Sequence, residues 1–225
     1  MELPRTLVEE FRKLRYDHSI SDFTIESDTG KQWKVHKLVL RLHSDVLYRM
    51  STSPEFLECQ RSRVILHGIQ DRHIEAMVNF FYNLPHKLSE EGDCTTSVDD
   101  WTDEGLKDYF TSNRDLLQLA DMYNVKELLK ALVQDLEFFF NFGGTVELTV
   151  RAASAMVKVE DVPDEMWGPL TDHLAYHFAR DVPEESELEK LQDVLASCPQ
   201  VAIGALKRIA EKNRGNRYES WSHMG

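Results

Sequence analysis

Three short stretches with the alternating pattern of β-strands, all before residue 70, most constrain the fold of this 225-residue chain. Residues 23–26 and 32–36 flank Asp28-Thr29-Gly30-Lys31, a sequence typical of a hairpin turn, and residues 63–67 end at Gly68. Three short strands build only a small sheet. The rest of the chain must therefore be helical or irregular, which predicts an α+β fold.

Apolar residues at helical spacing predict an amphipathic helix over residues 3–16. Its apolar stripe needs a surface to bury it, either on its own domain or on a second copy: Leu3, Leu7, Phe11, Leu14. From Lys37 we expect two short helices, with Ser44 capping the second and both Leu38 and Leu42 facing a core. Asp71 is predicted to cap the next helix, which Pro85 ends.

The second half of the chain is predicted to be helical. The expected segments after residue 112 are two helices up to Gly143-Gly144, then residues 146–157, 164–178, 187–196 and 199–212. The last residues, 214–225, are predicted to be a flexible tail.

Residues 87–108 hold eight carboxylates against two lysines, so we predict an acidic insertion, over residues 87–112, that is a solvated loop. Its aromatic second half is expected to dock back onto the domain. The loop is either a solubilising insertion or a docking segment for a basic partner. In the second case the docking residues are Glu90, Glu91, Asp99, Asp100, Trp101, Asp103 and Glu104.

Composition argues against several classes of protein. Three widely spaced cysteines favour a reducing, intracellular environment, either nucleus or cytoplasm, over a disulfide framework. A net charge of −13 disfavours general binding of nucleic acid. The sequence shows neither a signal peptide nor an apolar run of about 20 residues that could cross a membrane. It lacks catalytic, metal-binding and phosphate-binding motifs, so we expect no enzyme, no metal and no cofactor.

Four ordered motifs over about residues 7–140 resemble the BTB/POZ family. They are residues 7–15 with Ser21-Asp22-Phe23-Thr24-Ile25, Val35-His36-Lys37-Leu38-Val39-Leu40 with Ser44-Asp45-Val46-Leu47, Phe80-Phe81-Tyr82, and residues 115–123. The C-terminal third is similar to the BACK-type helices of that family, and most like those of the speckle-type POZ group, although no MATH domain is present. The resemblance divides the chain into a BTB/POZ domain (1–142), a BACK-like helical extension (143–213) and the tail.

The chain departs from the family pattern at three places. Arg41-Leu42-His43 stands where the family has small residues, Leu47 replaces a Phe, and Asn83-Leu84 replaces Thr-Gly. These departures concern the standard binding groove more than the fold.

The resemblance implies a homodimer formed through the first helix, by Leu3, Leu7, Phe11 and Leu14. It also implies that Phe56, Leu57 and Glu58 occupy the position of the family's cullin-contact motif, unless Phe56 simply covers the edge of the domain. The implied function is an adaptor that bridges a cullin-type ubiquitin ligase scaffold to a target protein. The alternative is a dimeric scaffold in a chromatin or transcription-regulatory complex, without ubiquitin transfer. His36 is implied to be a structural residue.

Overall fold

The computed structural model describes residues 5–86, 101–143 and 146–180, together with residues 201–208 and positions 189, 192, 195, 196, 199 and 210. The strands are β1 (Phe23–Ser27), β2 (Gln32–Val35) and β3 (Arg63–Leu66). The helices are α1 (Arg5–Leu14), α2 (Lys37–His43), α3 (Asp45–Thr52), α4 (Leu57–Arg61), α5 (Asp71–Phe81), α6 (Asp103–Met122), α7 (Lys126–Gly143), α8 (Val146–Val157) and α9 (Asp164–Arg180). A short 3-10 helix, His18–Ile20, joins α1 to β1.

The three predicted strands are confirmed, and they form one mixed sheet in the order β2-β1-β3. β1 pairs antiparallel with β2, where Ile25 lies opposite Trp33, and parallel with β3, where Ile25 lies opposite Val64. All three of these side chains are buried. The alternation therefore places one face of the sheet in the core.

The hairpin between β1 and β2 has a three-residue loop. Ser27 and Lys31 close it, with the Ser27 amide donating to the Lys31 carbonyl at 3.0 Å. Gly30 has φ +83, a conformation that glycine adopts without a steric penalty. The predicted turn is confirmed.

The two helices that follow begin at side-chain caps. Ser44 accepts a hydrogen bond from the Leu47 amide at 3.0 Å and caps α3, as predicted. For α2, the carboxylate of Asp22 accepts from the Lys37 amide at 2.7 Å, so the Asp before β1 caps a helix 15 residues later. Val39 and Leu40 are buried, whereas Leu38 and Leu42 are exposed. The prediction that Leu38 and Leu42 face a core was therefore wrong.

Helix α5 begins at Asp71, the residue that was predicted to precede the helix as its cap. Gln70 is the N-cap residue, and Asp71 is the first helical residue. The Asp71 carboxylate instead accepts hydrogen bonds from the Thr29 hydroxyl at 3.0 and 3.1 Å. The helix ends at Phe81, four residues before Pro85, and Asn83 beyond it has φ +55.

The chain divides into two compact units that are interleaved in sequence. The first unit comprises Met1–Asp93 and Asp115–Leu132, and the second comprises Cys94–Arg114 and Val133–Gly225. The first contains the sheet and α1–α5, the second contains α8 and α9, and helices α6 and α7 contribute residues to both. The fold is an α+β domain followed by a helical extension, as predicted.

The prediction of a loop through residue 112 was wrong, because residues 103–112 are helical. The Thr102 hydroxyl accepts from the Gly105 amide at 3.0 Å and caps α6. Asp103 and Glu104 fall in the first turn, where carboxylates interact favourably with the helix dipole. The acidic composition at this point therefore favours a helix start. Residues 87–100 of the predicted insertion lie outside the described residues.

The second unit contains an aromatic cluster, by which we mean Trp101, Tyr109, Phe110, Phe139 and Phe140. Phe110 is fully buried, with its ring centroid 5.7 Å from that of Phe139 and 6.2 Å from that of Phe140. Tyr109 stacks on Phe139 at 5.1 Å. Arg151 of α8 donates to the Trp101 carbonyl oxygen and, at 3.0 Å, to the Asp103 carboxylate. The start of α6 is thus attached to the helical extension.

Residues 201–208 are helical and pack closely on α9 within the second unit. A Cβ atom at Gly204 would lie 2.9 Å from Cγ2 of Thr171 and 3.4 Å from its Cβ. The Thr171 hydroxyl donates to the Gly168 carbonyl at 2.8 Å, which fixes the side chain in its present rotamer. The absence of a side chain at Gly204 therefore allows this close approach.

A double-mutant cycle at this contact should show strong coupling. We expect Gly204→Ala to gain about 1 kcal/mol of helix propensity but to lose about 1–3 kcal/mol to the overlap with Thr171. Thr171→Ser removes Cγ2 and keeps the hydroxyl, so Gly204→Ala should be more favourable by about 1 kcal/mol or more in a chain that already carries Thr171→Ser. Urea denaturation of the four proteins measures the difference; additive effects would contradict the prediction.

Candidate protein-interaction surfaces

Helix α4, which the sequence did not predict, presents the three residues of the implied cullin-contact motif. Phe56 is the N-cap residue of this five-residue helix, and Leu57 and Glu58 form its first turn. The side chain of Phe56 is 38% exposed and that of Leu57 58% exposed, while Glu58 is half-buried. Two adjacent apolar side chains therefore face solvent beside one carboxylate.

Local hydrogen bonds hold α4 between α3 and β3. The Phe56 amide donates to the Ser53 carbonyl at 3.1 Å, and the Gln60 side-chain amide donates to the Pro54 carbonyl at 3.0 Å. Ser62 ends the helix with φ +51, and its carbonyl accepts from the Thr24 amide at 3.1 Å on β1. The two exposed apolar residues thus stand on a defined backbone, which lowers the entropy that a partner must remove on binding.

Tyr123, at the turn between α6 and α7, lies in the electrostatic field of the same surface. Burial raises the pKa of the Tyr123 hydroxyl, and the negative charge of Glu58 adds to this effect. The Tyr123 carbonyl accepts from the Ser44 hydroxyl at 2.6 Å, so the cap residue of α3 also holds the α6–α7 turn. Ser44 therefore supports two elements around the α4 surface.

Helix α1 rests on Tyr82 at the end of α5. The ring centroid of Phe11 lies 5.9 Å from that of Tyr82, and the guanidinium carbon of the buried Arg15 lies 6.0 Å from it. The Arg12 side chain donates to the Asn83 carbonyl at 2.8 Å. The apolar stripe of α1 is thus used in part within its own domain.

The hydroxyl of Tyr82 joins this contact to His36 at the start of α2. The His36 amide donates to it at 3.1 Å, and the hydroxyl also shares a hydrogen bond with Nδ1 of the His36 ring, 2.7 Å away. Burial lowers the pKa of His36, against the opposing charges of Asp22 and Asp17, and burial raises the pKa of Tyr82 to about 12. Both groups are therefore uncharged at neutral pH, which suits a structural junction.

The structure describes only part of the apolar stripe of α1 that was predicted to form the dimer. Leu3 lies outside the described residues, and so does the side chain of Leu7. Phe11 and Leu14 are half-buried, so part of each remains open to solvent.

Only some of the predicted acidic docking residues are described by the structure. Glu90, Glu91, Asp99 and Asp100 lie outside the described residues. Trp101 is half-buried in the aromatic cluster, and Asp103 and Glu104 are exposed in the first turn of α6. Asp103 and Glu104 therefore belong to a helix start, and Trp101 lies just before it in the aromatic cluster.

Two further observations concern other kinds of site. In the ranges that the structure describes, no group of three or more His, Cys, Asp or Glu side chains converges as metal ligands would. Across the same part of the chain, every helix is too short or too polar to cross a membrane.

A small mixed sheet, with a frame of short helices that present apolar side chains to solvent, defines a protein-interaction domain. Residues 11–100 match the family model of the BTB/POZ domain, and this part of the chain is a BTB/POZ domain. Domains of this family bind other proteins and commonly dimerise. In a comparison with the curated proteins, no significant match is found.

The family match ends at residue 100, within the segment that precedes α6. The BACK-like nature of the later helices and the likeness to the speckle-type POZ group therefore stay predictions, as does the domain boundary at residue 142.

Proposed function

We propose that this chain is an adaptor that bridges a cullin-type ubiquitin ligase scaffold to a target protein as a dimer. The observation that carries the proposal is the exposure of Phe56 and Leu57 beside Glu58 on the short helix α4. The ligase would supply the chemistry, and this chain would supply geometry and two copies of each binding surface.

The α4 surface has the features that a partner pocket requires. Burial of two large apolar side chains supplies binding free energy, and hot-spot residues are of this kind. A nearby carboxylate can fix the register of a partner through one charged hydrogen bond. Because the exposed apolar residues lie on an ordered helix, little of this free energy is spent on ordering the backbone.

The dimer would form through the apolar stripe of α1: Leu3, Leu7, Phe11 and Leu14. In the described part of that stripe, Phe11 and Leu14 each keep an open portion. Packing of Phe11 and Arg15 against Tyr82 sets the position of the helix on the domain. A second copy could cover the remaining apolar surface through a two-fold interface.

A pull-down with a purified cullin N-terminal region tests the proposal. We expect the wild-type chain to bind, and Phe56→Ala combined with Glu58→Lys to weaken binding by about tenfold or more, because both the apolar anchor and the carboxylate are lost. Leu57→Ala alone should also weaken binding, since Leu57 is the more exposed of the two apolar residues.

The control makes one apolar-to-Ala change and one Glu→Lys change in the second unit. Leu206→Ala combined with Glu165→Lys alters two exposed residues there and should leave binding unchanged. Circular dichroism should show the same fold for every variant. If the wild type fails to bind the cullin fragment but sediments as a dimer at tens of micromolar, the adaptor function is wrong and the transcription-scaffold function replaces it. If the wild type sediments only as a monomer, the proposed dimer is wrong.

A further inference from the structure

Arg15, the residue that follows α1, carries a charge that is buried without a counterion. Only 8% of the residue is exposed. A guanidinium has five N–H donors and stays charged in proteins, but among the described residues Arg15 forms no ion pair. Its Nε is closed to water and donates to no acceptor. An unpaired buried charge is costly because it has lost its hydration, so such groups normally have an anionic partner.

Two tyrosine rings flank the guanidinium of Arg15. Its carbon lies 6.0 Å from the ring centroid of the buried Tyr82 and 5.8 Å from that of Tyr16, which is 69% exposed. The ring faces attract the cation, but they do not replace the acceptors that its N–H groups need. Because Tyr16 is the exposed neighbour, movement of this one side chain opens the guanidinium to a ligand from solvent.

The two carboxylates of the chain that act on this region already have partners. Asp17 accepts from the Ser19 hydroxyl at 2.5 Å and from the Ser19 amide at 3.0 Å. Asp22 accepts from the Lys37 amide at 2.7 Å, and its charge acts on Tyr82. The N–H groups of Arg15 are therefore free to bind a group on another molecule.

The charges around Arg15 favour an anion with a single negative charge. Arg12, about one turn earlier on α1, is a second cation. Asp17 and Asp22 oppose the two cations, since the charges of both act on the neighbouring His36. These carboxylates would repel a phosphate dianion more strongly than a second carboxylate. A carboxylate also matches the planar fork of a guanidinium, from which it can accept two parallel hydrogen bonds.

We propose that Arg15 is the anchor of a carboxylate-binding site at the C-terminal end of α1. The carboxylate would be a side chain or the chain end of a partner protein, and it would meet the guanidinium on the side of Tyr16. The site goes beyond the adaptor function, because neither the α4 surface nor the apolar stripe of α1 requires an anion at Arg15. In the free protein the charge lacks a counterion, and the ligand supplies one.

A stability measurement separates this role from a purely structural one. Arg15→Met keeps most of the volume and removes the charge. If the charge serves a ligand, the variant should unfold at the same or a higher urea concentration than the wild type, since an unpaired buried charge has been removed. Arg49→Met, the same change at an exposed position of α3, should leave the midpoint unchanged. A lower midpoint for Arg15→Met than for this control would show that the guanidinium has a structural partner, and would overturn the proposal.

NMR of the side-chain N–H groups tests the ligand class on the full chain. The Nε–H group of Arg15 should give a resolved signal, because a hydrogen closed to water exchanges slowly, and the loss of this signal in Arg15→Met identifies it. We expect sodium acetate to shift the signal along a saturating curve, and sodium chloride at the same ionic strength to leave it in place. Inorganic phosphate should shift it less than acetate does. No shift with acetate, or a larger shift with phosphate, would overturn the carboxylate site.

Two dye-labelled peptides distinguish the sources of the carboxylate. One has a Glu side chain and an amidated end, and the other has neutral side chains and a free C-terminal carboxylate. We expect at least one of them to bind in a fluorescence anisotropy titration, and Arg15→Met to weaken that binding by about tenfold or more, because charged hydrogen bonds are lost. Arg49→Met should bind as the wild type does. The proposal fails if both peptides bind no better than a neutral amidated peptide, or if Arg15→Met binds them as well as the wild type.

Discussion

Replacement of Phe110 by Ala is expected to lower the free energy of unfolding of the second unit by about 3–5 kcal/mol, the usual loss for a large aromatic core residue. Phe110 is fully buried on α6, and its ring contacts Phe139 and Phe140 of α7. Its removal leaves a cavity at the centre of the aromatic cluster. Those neighbours are anchored on a continuous helix, so they can move only slightly to fill it.

Urea denaturation followed by far-UV circular dichroism measures this loss. Phe138→Ala is the matched control, because it makes the same change on α7 at a side chain that is 42% exposed. It should cost much less, since less apolar area leaves the core. If the two variants unfold at the same urea concentration, the cluster is not the core of the second unit.

The position of Phe110 shows where composition misled the sequence prediction. The many carboxylates of residues 87–108 indicated a solvated loop, yet three of them lie on α6. The local signals of a helix start were present: Thr102 as a cap, then acidic residues in the first turn. Leu106 and Phe110 at helical spacing continue that pattern into the core. The cap residue and the helical spacing of apolar residues therefore indicated the local structure better here than the net charge did.

Helix α2 shows a different limit. Leu38 and Leu42 share one side of the helix, while Val39 and Leu40 share another, and all four are apolar. In a helix of seven residues the period alone cannot select which side is buried. Tertiary contacts decide it, because the His43 ring lies 5.4 Å from the ring of Phe81 on α5 and orients α2.

Elements with complete local signals were predicted well. The hairpin combines alternating strands with a turn sequence, and Ser44 is a cap between two apolar stretches; both predictions are confirmed. Helix α8 has the predicted bounds, and its apolar residues keep one helical period. By contrast, the contact between His36 and Tyr82 joins positions 46 residues apart, and no local pattern indicates it.

Replacement of Tyr82 by Phe is expected to lower the free energy of unfolding of the first unit by about 1–3 kcal/mol, although only one oxygen atom is removed. The Tyr82 hydroxyl accepts from the His36 amide and shares a second hydrogen bond with Nδ1 of its ring, and Tyr82 is fully buried. Without the hydroxyl, both polar groups of His36 lose their partner in a site closed to water. The aromatic ring stays in place, so its contact with Phe11 is kept. The fall in the free energy of unfolding therefore measures the loss of the hydrogen bonds.

Tyr16→Phe provides the control, because it deletes the same atom from a side chain that is 69% exposed and whose hydroxyl stays in water in both states. It should change the free energy of unfolding by less than about 0.5 kcal/mol. Tyr82→Phe should also loosen α1, since Phe11 and Arg15 rest on the Tyr82 ring whose position the hydroxyl fixes. Hydrogen exchange of the α1 amides should therefore quicken in Tyr82→Phe and not in Tyr16→Phe. Equal stability of the two variants would mean that His36 finds other partners, and that the junction does not position the helix proposed to form the dimer.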